Sequence, residues 1–299
     1  MDVCVIGGSR YFGRRLIEEL RDTGAAVTVI NRGSAPAPQG VTHLRADRDD
    51  ESALRTALAG RSFDVVIDQV CYSPLQAAIA ARVFAGRTRR YVLTSTVEVY
   101  AELGRPGGGP GAALPEQAVD PSTWPVDLTL PWTEPRFLEG HYGEGKRQAE
   151  ALLTREAPFD VVTVRTAHVL GGADFTGRLA HYIERIENSL PVSVHAAPRP
   201  ASFIHAPEIA RFLAWAATAD FAGPVNAASH GTLDARQLCE AIGRAVGTEP
   251  TLVTGTGEPV SPFSFERSYV MDTGRAARLG FQFSSVDKWL PLVLKEARA

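Results

Sequence analysis

The stretch Val3-Cys4-Val5-Ile6-Gly7-Gly8-Ser9-Arg10-Tyr11-Phe12-Gly13 joins a short apolar run to a glycine-rich turn. An amphipathic run follows at residues 14–22, and a second apolar run lies at residues 27–30 after Gly24. This order predicts a strand, a turn, one crossover helix and a second strand parallel to the first. Glycines between a strand and a helix let backbone N–H groups approach a pyrophosphate. We therefore expect a dinucleotide site rather than a plain structural turn, with contacts from Gly7, Gly8, Ser9, Arg10, Tyr11, Phe12 and Gly13.

Strands alternate with helices along the first half of the chain. The apolar runs lie at residues 63–68, 90–94 and 160–165, with helical patterns at 51–59, 75–84 and 142–155. The alternation predicts an α/β fold, a Rossmann-type doubly wound parallel sheet. A Gly/Pro-rich stretch at residues 104–135 predicts a long loop. We expect an NAD(P)-binding domain over residues 1–165, and over 166–299 a smaller, mostly substrate-binding region that can return strands to the sheet.

Composition limits the possible partners. The 299 residues include 31 basic and 34 acidic side chains, a net charge of −3, so we expect no nucleic-acid partner. No apolar run approaches the length of about 18 residues that a membrane span needs, and the N-terminus lacks a basic leader. We therefore expect a cytoplasmic protein with a small-molecule substrate. Single cysteines and seven histidines without ligand spacing predict no metal site.

Residues after the second and third predicted strands bear on cofactor choice. Asn31 and Arg32 end the second apolar run, where an acidic residue would repel a 2′-phosphate and arginine attracts one. Arg32, assisted by Arg10, therefore favours NADP over NAD, although Arg32 stacked on adenine or pointing into solvent is the alternative. Asp47 follows the third strand and is placed to accept from the adenine amino group, or else to cap the next helix.

Tyr142 and Lys146 are four residues apart and so share one face of a predicted helix. A neighbouring ammonium lowers the pKa of a phenol, which lets the pair move a proton at a carbinol or carbonyl oxygen. Thr96 ends the strand before this helix, where its hydroxyl can hold the same oxygen. The alternative is a chance pair of solvated residues. Gly143 and Gly145 inside the helix predict close approach of a ligand or another backbone.

Taken together, these motifs resemble the extended short-chain dehydrogenase/reductases, the NAD-dependent epimerase/dehydratase family. The resemblance rests on the turn at residues 7–13, the strand end at 95–100, the Tyr142/Lys146 pair, residues 164–171 and residues 202–205. It implies that Thr96, Tyr142 and Lys146 form the catalytic triad, with Lys146 also binding the nicotinamide ribose. It also implies a homodimer in which the helices at 75–84 and 142–155 pair across a two-fold axis.

The chain departs from the family pattern at several positions. Arg10 stands where the commonest turn has glycine, so the chain is more similar to an atypical, reductase-like branch. Residues 95–100 are similar to the string of sugar dehydratases, but Val97 replaces the catalytic acid and leaves Glu98 as the candidate base. Ala201 replaces an arginine that holds substrate pyrophosphate, for which Arg199 can substitute unless it is a solvated loop arginine. His168 is a candidate substrate contact or a structural histidine.

These observations lead to one main hypothesis and two alternatives. The main hypothesis is an NAD(P)-dependent epimerase or ketoreductase acting on a hydroxyl or keto carbon of a sugar, nucleotide-sugar or nucleoside-like substrate. One alternative is a sugar dehydratase that uses Glu98. The other is a nucleotide-binding or RNA-binding regulatory module that retains the fold and has reduced chemistry.

Overall fold

Parallel strands with helices on both faces form the centre of the molecule. The computed structural model describes residues 1–101, 103, 112–255 and 259–298. Its strands are β1 Asp2–Ile6, β2 Ala26–Asn31, β3 Thr42–Arg45, β4 Val65–Asp68, β5 Arg90–Thr96, β6 Asp160–Thr166, β7 His168–Leu170, β8 Val192–Ser193, β9 Ala201–His205, β10 Gly223–Ala227, β11 Thr232–Leu233 and β12 Leu252–Val253. Its helices are α1 Tyr11–Asp22, α2 Glu51–Leu58, α3 Pro74–Phe84, α4 Pro135–Gly140, α5 Tyr142–Glu156, α6 Arg178–Glu187, α7 Ala206–Ala216, α8 Ala235–Val246, α9 Gly274–Arg278 and α10 Val286–Glu296. Two 3-10 helices lie at Val97–Tyr100 and Glu116–Ala118.

The seven-stranded sheet confirms the predicted fold class. Its order is β10-β6-β5-β4-β1-β2-β3, and every neighbouring pair is parallel. The chain runs outward from β1 to β3 and then crosses to β4 on the other side of β1. Such a switch in strand order opens a crevice at the carboxyl ends of the strands, which is where open parallel sheets bind ligands.

Alternating side chains of the central strands supply two cores. Val3 and Val5 belong to the core that also contains Leu16 of α1, whereas Cys4 and Ile6 belong to the core on the opposite face. Because both faces of a parallel sheet are covered by helices, its strands are apolar throughout rather than alternately polar. This explains why the strands of the first half of the chain are recognisable as short apolar runs.

The second half of the chain contributes both to the sheet and to a smaller assembly. Strand β10 pairs with β6 at the edge of the central sheet. Strands β7, β9 and β11 form a separate small sheet, and β8 pairs with β12. The division at residue 165 stays a prediction, with β10 returning to the central sheet from beyond it.

A covering segment, residues 112–141, lies over α5. Residues 104–111 of the predicted Gly/Pro-rich loop are outside the described part of the chain. Within the segment, the Trp124 indole N–H donates to Glu144 Oε1 at 3.1 Å, and the Asp127 backbone N–H donates to Gln148 Oε1 at 2.8 Å. Residues 145–153 of α5 are all buried. The segment therefore covers the α5 surface with the chain's own side chains.

Among the described residues, none of the helices combines the length and the apolar character that crossing a membrane would need.

Candidate active site

A cleft of about 650 Å³ opens at the carboxyl ends of the central strands. The glycine-rich turn after β1 lines one side of it, and Tyr142 and Lys146 line another. His168 and Arg178, from the second half of the chain, line the cleft as well. The structure thus brings together most of the residues that the sequence predicts for the site.

The turn between β1 and α1 approaches the cleft with its backbone. Gly7 and Gly8 have φ of +83° and +77°, a conformation that side chains other than glycine's rarely adopt. A Cβ on Gly7 would lie 2.8 Å from Val70, and one on Gly13 would lie 2.6 Å from the Cα of Gly8. Only glycine leaves this cradle open, so the N-terminus of α1 is available to an anion such as a pyrophosphate. The Gly7 and Gly13 N–H groups themselves donate to the Ile30 and Arg10 carbonyls.

Asn31 fastens this turn to the end of β2. Its Nδ2 donates to Ser9 Oγ at 2.6 Å, and its Oδ1 accepts from the Gly33 backbone N–H at 2.7 Å. The next residue, Arg32, is exposed on the cleft lining and has no hydrogen bond or ion pair with any residue that the structure describes. Arg10 is exposed too, with its guanidinium carbon 6.0 Å from the Phe175 ring centre. Both arginines are therefore free to meet an anionic group at the rim.

The loop after β3 forms the far end of the cleft. Asp47 is exposed on the lining, and Asp50 rather than Asp47 caps α2, because its side chain accepts from the Ala53 backbone N–H. The alternative role of Asp47 as a helix cap is therefore wrong. Arg48, which sequence reasoning missed, is buried beside it and donates from Nη2 to Asp68 Oδ2 at 2.6 Å. No sequence pattern distinguishes Arg48 from the charged loop around it.

Tyr142, Lys146 and Thr96 meet at the end of β5. The Tyr142 hydroxyl lies near enough to the Thr96 hydroxyl for Thr96 to lower the pKa of Tyr142. Lys146 is 2% exposed, and its Nζ donates to the Thr94 carbonyl at 2.8 Å. The same Nζ is 5.9 Å from the Tyr142 ring centre and 4.7 Å from the Tyr72 ring centre. The three predicted catalytic side chains thus form one cluster on the cleft wall.

The protonation states in this cluster differ from the sequence-based expectation. The pKa of Tyr142 lies above its usual value of 10, because burial and the neighbouring Tyr72 raise it more than Thr96 lowers it. Tyr142 as a residue is 36% exposed, but its hydroxyl lies near Thr96, which is only 7% exposed. Burial also lowers the pKa of Lys146 from 10.5 to about 8. The predicted lowering of the Tyr142 pKa by Lys146 is therefore not seen, since burial penalises both charges.

Two glycines let α5 lie close to the segments that follow β4 and β5. A Cβ on Gly143 would be 2.5 Å from the backbone oxygen of Glu98, and one on Gly145 would collide with the backbone oxygen of Tyr72. The predicted close approach is therefore confirmed, and the approaching group is another backbone. Because Tyr142 and Lys146 flank these glycines, the contact sets how far both side chains reach into the cleft.

Glu98 lines the cleft in the first turn after β5. Its carboxylate accepts from the Tyr269 hydroxyl at 3.2 Å, and burial raises its pKa above the usual value. Val97 is 1% exposed and belongs to the core, so the dehydratase acid has no counterpart at that position.

The predicted substrate contacts fall in two different places. His168 is buried in a group of aromatic rings, stacked on Phe265 at 4.9 Å, and burial lowers its pKa to about 3, so the ring is neutral. Its Nε2 is without a hydrogen-bond partner among the described residues. Arg199 is exposed and lies outside the cleft lining. Arg178, which sequence reasoning missed, lines the cleft and is the nearer arginine for a substrate anion.

The donor set of the cleft fits a dinucleotide. The glycine cradle suits a pyrophosphate, and the exposed Asp47 carboxylate can accept from an amino group. Over the same residues, no group of three or more His, Cys, Asp or Glu side chains is placed to hold a metal ion.

Solved structures share the fold across the whole chain. UDP-glucose 4-epimerase from Thermus thermophilus, in complex with NAD, is 21% identical, with a TM-score of 0.74 over 100% of this chain and 99% of that one. UDP-glucose 4-epimerase from Thermotoga maritima, with UDP-glucose, is 17% identical, with a TM-score of 0.76 and the same two coverages. At these identities the likeness shows the fold alone.

Sequence comparison adds a relative and a family. A 2′-dehydrokanamycin reductase from Streptomyces kanamyceticus is 35% identical over 95 residues, which are 31% of this chain and 27% of that protein. The sequence pattern of the NAD-dependent epimerase/dehydratase family matches residues 3–228, which contain the glycine turn, Thr96, Tyr142 and Lys146. By that match over most of its length, the chain belongs to the NAD-dependent epimerase/dehydratase family.

Proposed function

We propose that this chain is an NAD(P)-dependent ketoreductase acting on a keto carbon of a sugar, nucleotide-sugar or nucleoside-like molecule. The observation that carries the proposal is the joining of Tyr142, Thr96 and Lys146 on the wall of a cleft that the glycine turn also lines. Reduction of a carbonyl group needs a proton donor, here the Tyr142 cluster, beside a cofactor site, here the glycine turn.

Each residue of the cluster has a separate role in the proposal. The Tyr142 hydroxyl gives the proton to the substrate oxygen, and the Thr96 hydroxyl holds that oxygen in place. The raised pKa of Tyr142 keeps the phenol protonated at neutral pH, which suits an acid in the direction of reduction. Lys146 donates a hydrogen bond to the Thr94 carbonyl and so holds α5, which carries Tyr142, against the end of β5. The glycine turn and Lys146 would hold NAD(P), which would supply the hydride when bound.

We further propose NADP rather than NAD as the preferred cofactor. Arg32 and Arg10 are exposed at the rim beside the end of β2, and Arg32 has no protein partner among the described residues. A 2′-phosphate would give both guanidinium groups a charged acceptor. Asn31 between them is neutral and already bound to Ser9 and Gly33, so it adds no repulsion.

A sugar-like substrate is supported by the relative rather than by the lining. The relative from Streptomyces kanamyceticus is by name a reductase of 2′-dehydrokanamycin, and its matched stretch is short. His168, Arg178 and Glu98 are the polar groups beside Tyr142 that we assign to substrate contact. Arg199 would reach a substrate only if the substrate extended beyond the cleft.

Epimerisation is the second candidate. Residues 172–178 lie against the glycine turn, with the Phe175 ring 6.2 Å from the Tyr11 ring. A cofactor enclosed in this way can stay bound while a keto intermediate is formed and reduced again. Dehydration is the weaker alternative, because Glu98 lacks an acid at Val97.

The homodimer predicted through α3 and α5 also stays a proposal. Trp124 and Asp127 of the covering segment are hydrogen-bonded to Glu144 and Gln148 of α5. A partner would therefore dock on the covering segment rather than directly on α5. Sedimentation at high protein concentration distinguishes a dimer from a monomer.

Replacing Tyr142 by Phe tests the proposed chemistry. We expect turnover of keto-sugars, followed by loss of reduced nicotinamide, to fall by about 100- to 10,000-fold with the affinity for NADPH unchanged. Tyr182→Phe is the matched control, because Tyr182 is a buried tyrosine outside the cleft lining. Near-normal turnover by Tyr142→Phe would remove Tyr142 from the mechanism.

A further inference from the structure

Tyr72 lies on the short segment between β4 and α3, and its ring faces the cluster of Tyr142, Lys146 and Thr96. The Lys146 Nζ is 4.7 Å from the centre of the Tyr72 ring, closer than the 5.9 Å between Nζ and the centre of the Tyr142 ring. The Tyr72 and Tyr142 ring centres are 6.2 Å apart, at an interplanar angle of 48°. Tyr72 therefore lies against both members of the helical pair and lines the cleft beside them.

The Lys146 ammonium has few other groups that stabilise its charge. It is 2% exposed, it has no ion-pair partner among the described residues, and its one hydrogen bond within them is to the Thr94 carbonyl. The face of an aromatic ring within about 6 Å attracts a cation, and the attraction is stronger where water is excluded. The Tyr72 ring therefore supplies part of the stabilisation that a carboxylate would provide in an ion pair.

The ionisable side chains nearest to this ammonium are either paired elsewhere or neutral. Asp68 accepts from Arg48 Nη2, and Glu150 accepts from Arg165 Nη2, each at 2.6 Å. Burial raises the pKa of the Cys71 thiol to about 11, so the thiol is uncharged at neutral pH. Replacing the facing aromatic ring leaves these pairs in place.

The position of Tyr72 is set by its backbone. Its N–H donates to Gln76 Oε1 at 2.6 Å, and Gln76 Nε2 donates to Asp49 Oδ1 at 2.6 Å. Its carbonyl oxygen lies against Gly145 of α5, where a Cβ would collide with it. The Tyr72 hydroxyl has no hydrogen bond with any residue that the structure describes. The ring, rather than the hydroxyl, is therefore the part of Tyr72 that acts on the cluster.

We infer that Tyr72 is a positioning residue for the cluster, and this rests on the proposed function. Its ring holds the Lys146 ammonium by a cation–π contact and packs beside the Tyr142 ring, so that α5 presents the Tyr142 hydroxyl to the substrate oxygen in one orientation. Tyr72 acts through these two side chains and transfers no proton itself. Because a displacement of about 1 Å in a reacting group can lower turnover by about 100-fold, loss of the ring should be visible in the rate.

The first test is the pKa of Lys146 in the nucleotide-free full chain, measured by NMR titration of protein labelled with ¹³C-lysine. The lysines of this sequence are Lys146, Lys288 and Lys295, and the last two are exposed on α10 and serve as internal references. Tyr72→Leu removes the ring and keeps an apolar side chain. We expect it to lower the pKa of Lys146, about 8 in the wild type, by about one unit, because the ring favours the charged form. Tyr72→Phe keeps the ring and should restore the wild-type value.

The second test is turnover of the keto-sugar that the wild type reduces. Tyr72→Leu should lower kcat by about tenfold with the affinity for NADPH unchanged, and Tyr72→Phe should recover most of that loss. Thermal unfolding shows whether each variant is folded. If Tyr72→Leu is not folded, Tyr72→Met takes its place with the same expected results.

An unchanged or raised pKa of Lys146 in the folded Tyr72→Leu variant overturns the inference. Equal losses of kcat in Tyr72→Leu and Tyr72→Phe also overturn it, since the hydroxyl would then be a direct contact. A loss confined to the affinity for NADPH overturns it too, because Tyr72 would then be a cofactor contact.

Failure of the inference is distinguishable from failure of the proposed function. Wild-type behaviour of Tyr72→Leu beside a large loss of turnover in Tyr142→Phe removes the inference and leaves the proposed function in place. Normal turnover in Tyr142→Phe removes the proposed chemistry, and a lowered pKa of Lys146 in Tyr72→Leu would then show a packing contact without a role in catalysis.

Discussion

Arg165 and Arg48 are both buried beside carboxylates, but their hydrogen bonding differs. Arg165 and Glu150 are both 0% exposed, and every side-chain nitrogen of Arg165 donates to Glu150, the Tyr100 hydroxyl or the carbonyls of Glu116 and Val119. Within the described part of the chain, Arg48 makes one hydrogen bond, to Asp68. The comparison teaches that two buried ion pairs can differ in how completely their polar atoms are hydrogen-bonded, and that the fully bonded pair belongs to the scaffold.

The largest change in the free energy of unfolding should come from breaking the Arg165–Glu150 pair. Glu150→Ala leaves Arg165 charged and buried and takes the acceptor from Ser95, whose hydroxyl donates to Glu150 Oε1 at 2.5 Å. We expect a loss of about 3–5 kcal/mol in the free energy of unfolding, measured in urea. Glu51→Ala is the control, since its ion pairs with Arg55 and Arg82 are at the surface and should contribute less than about 1 kcal/mol. Equal losses for the two variants would contradict the distinction.

A smaller change in stability should come from replacing Lys146, a buried cation with no ion-pair partner among the described residues. Its folded pKa of about 8 lies below its unfolded value of 10.5. Below pH 8 both states bind the proton and burial of the charge destabilises the folded state. Between pH 8 and 10.5 the unfolded chain binds more protons, so the stability of the wild type rises with pH.

Lys146→Met should therefore be the more stable protein at pH 7, by up to about 3 kcal/mol, with the difference shrinking as the pH approaches 10.5. Urea unfolding of both proteins across this range measures the difference. A variant less stable than the wild type at pH 7 would show that Lys146 supports the fold rather than the site.

Arg32 differs from both buried arginines, because it is exposed at the rim of the cleft. Arg32→Ala should weaken NADPH binding by about threefold to tenfold and leave NADH binding unchanged, because a solvated charge pair contributes little. Fluorescence titration with both nucleotides measures the effect. Arg82→Ala, which removes an exposed arginine from outside the cleft lining, should change neither affinity. Equal weakening of both nucleotides by Arg32→Ala would contradict the preference for NADP.

The nucleotide half was predictable from sequence because its determinants are local. The apolar run ending at Ile6, Gly7, Gly8 and the run ending at Ile30 follow one another within about one β-α-β unit, and backbone rules connect each to its structure. Tyr142 and Lys146 were predictable for the same reason, since helical spacing places them on one face.

The rest of the site depends on contacts between distant residues. Arg178 comes from α6, and Arg48 is held by Asp68 on β4, neither of which is visible in the residues around it. The protonation of Tyr142 depends on Tyr72, which lies between β4 and α3 and packs beside it. Burial by distant elements sets these properties, and local sequence patterns do not encode it.

The most direct test of the account is whether the cleft holds a dinucleotide at all. The purified protein would be denatured, any released nucleotide identified by mass, and the emptied, refolded protein titrated with NADPH and NADH. We predict that NADPH binds more tightly than NADH and exchanges freely, as a ketoreductase requires. A retained, non-exchanging NAD(H) would favour epimerisation, and binding of neither nucleotide would contradict the central claim.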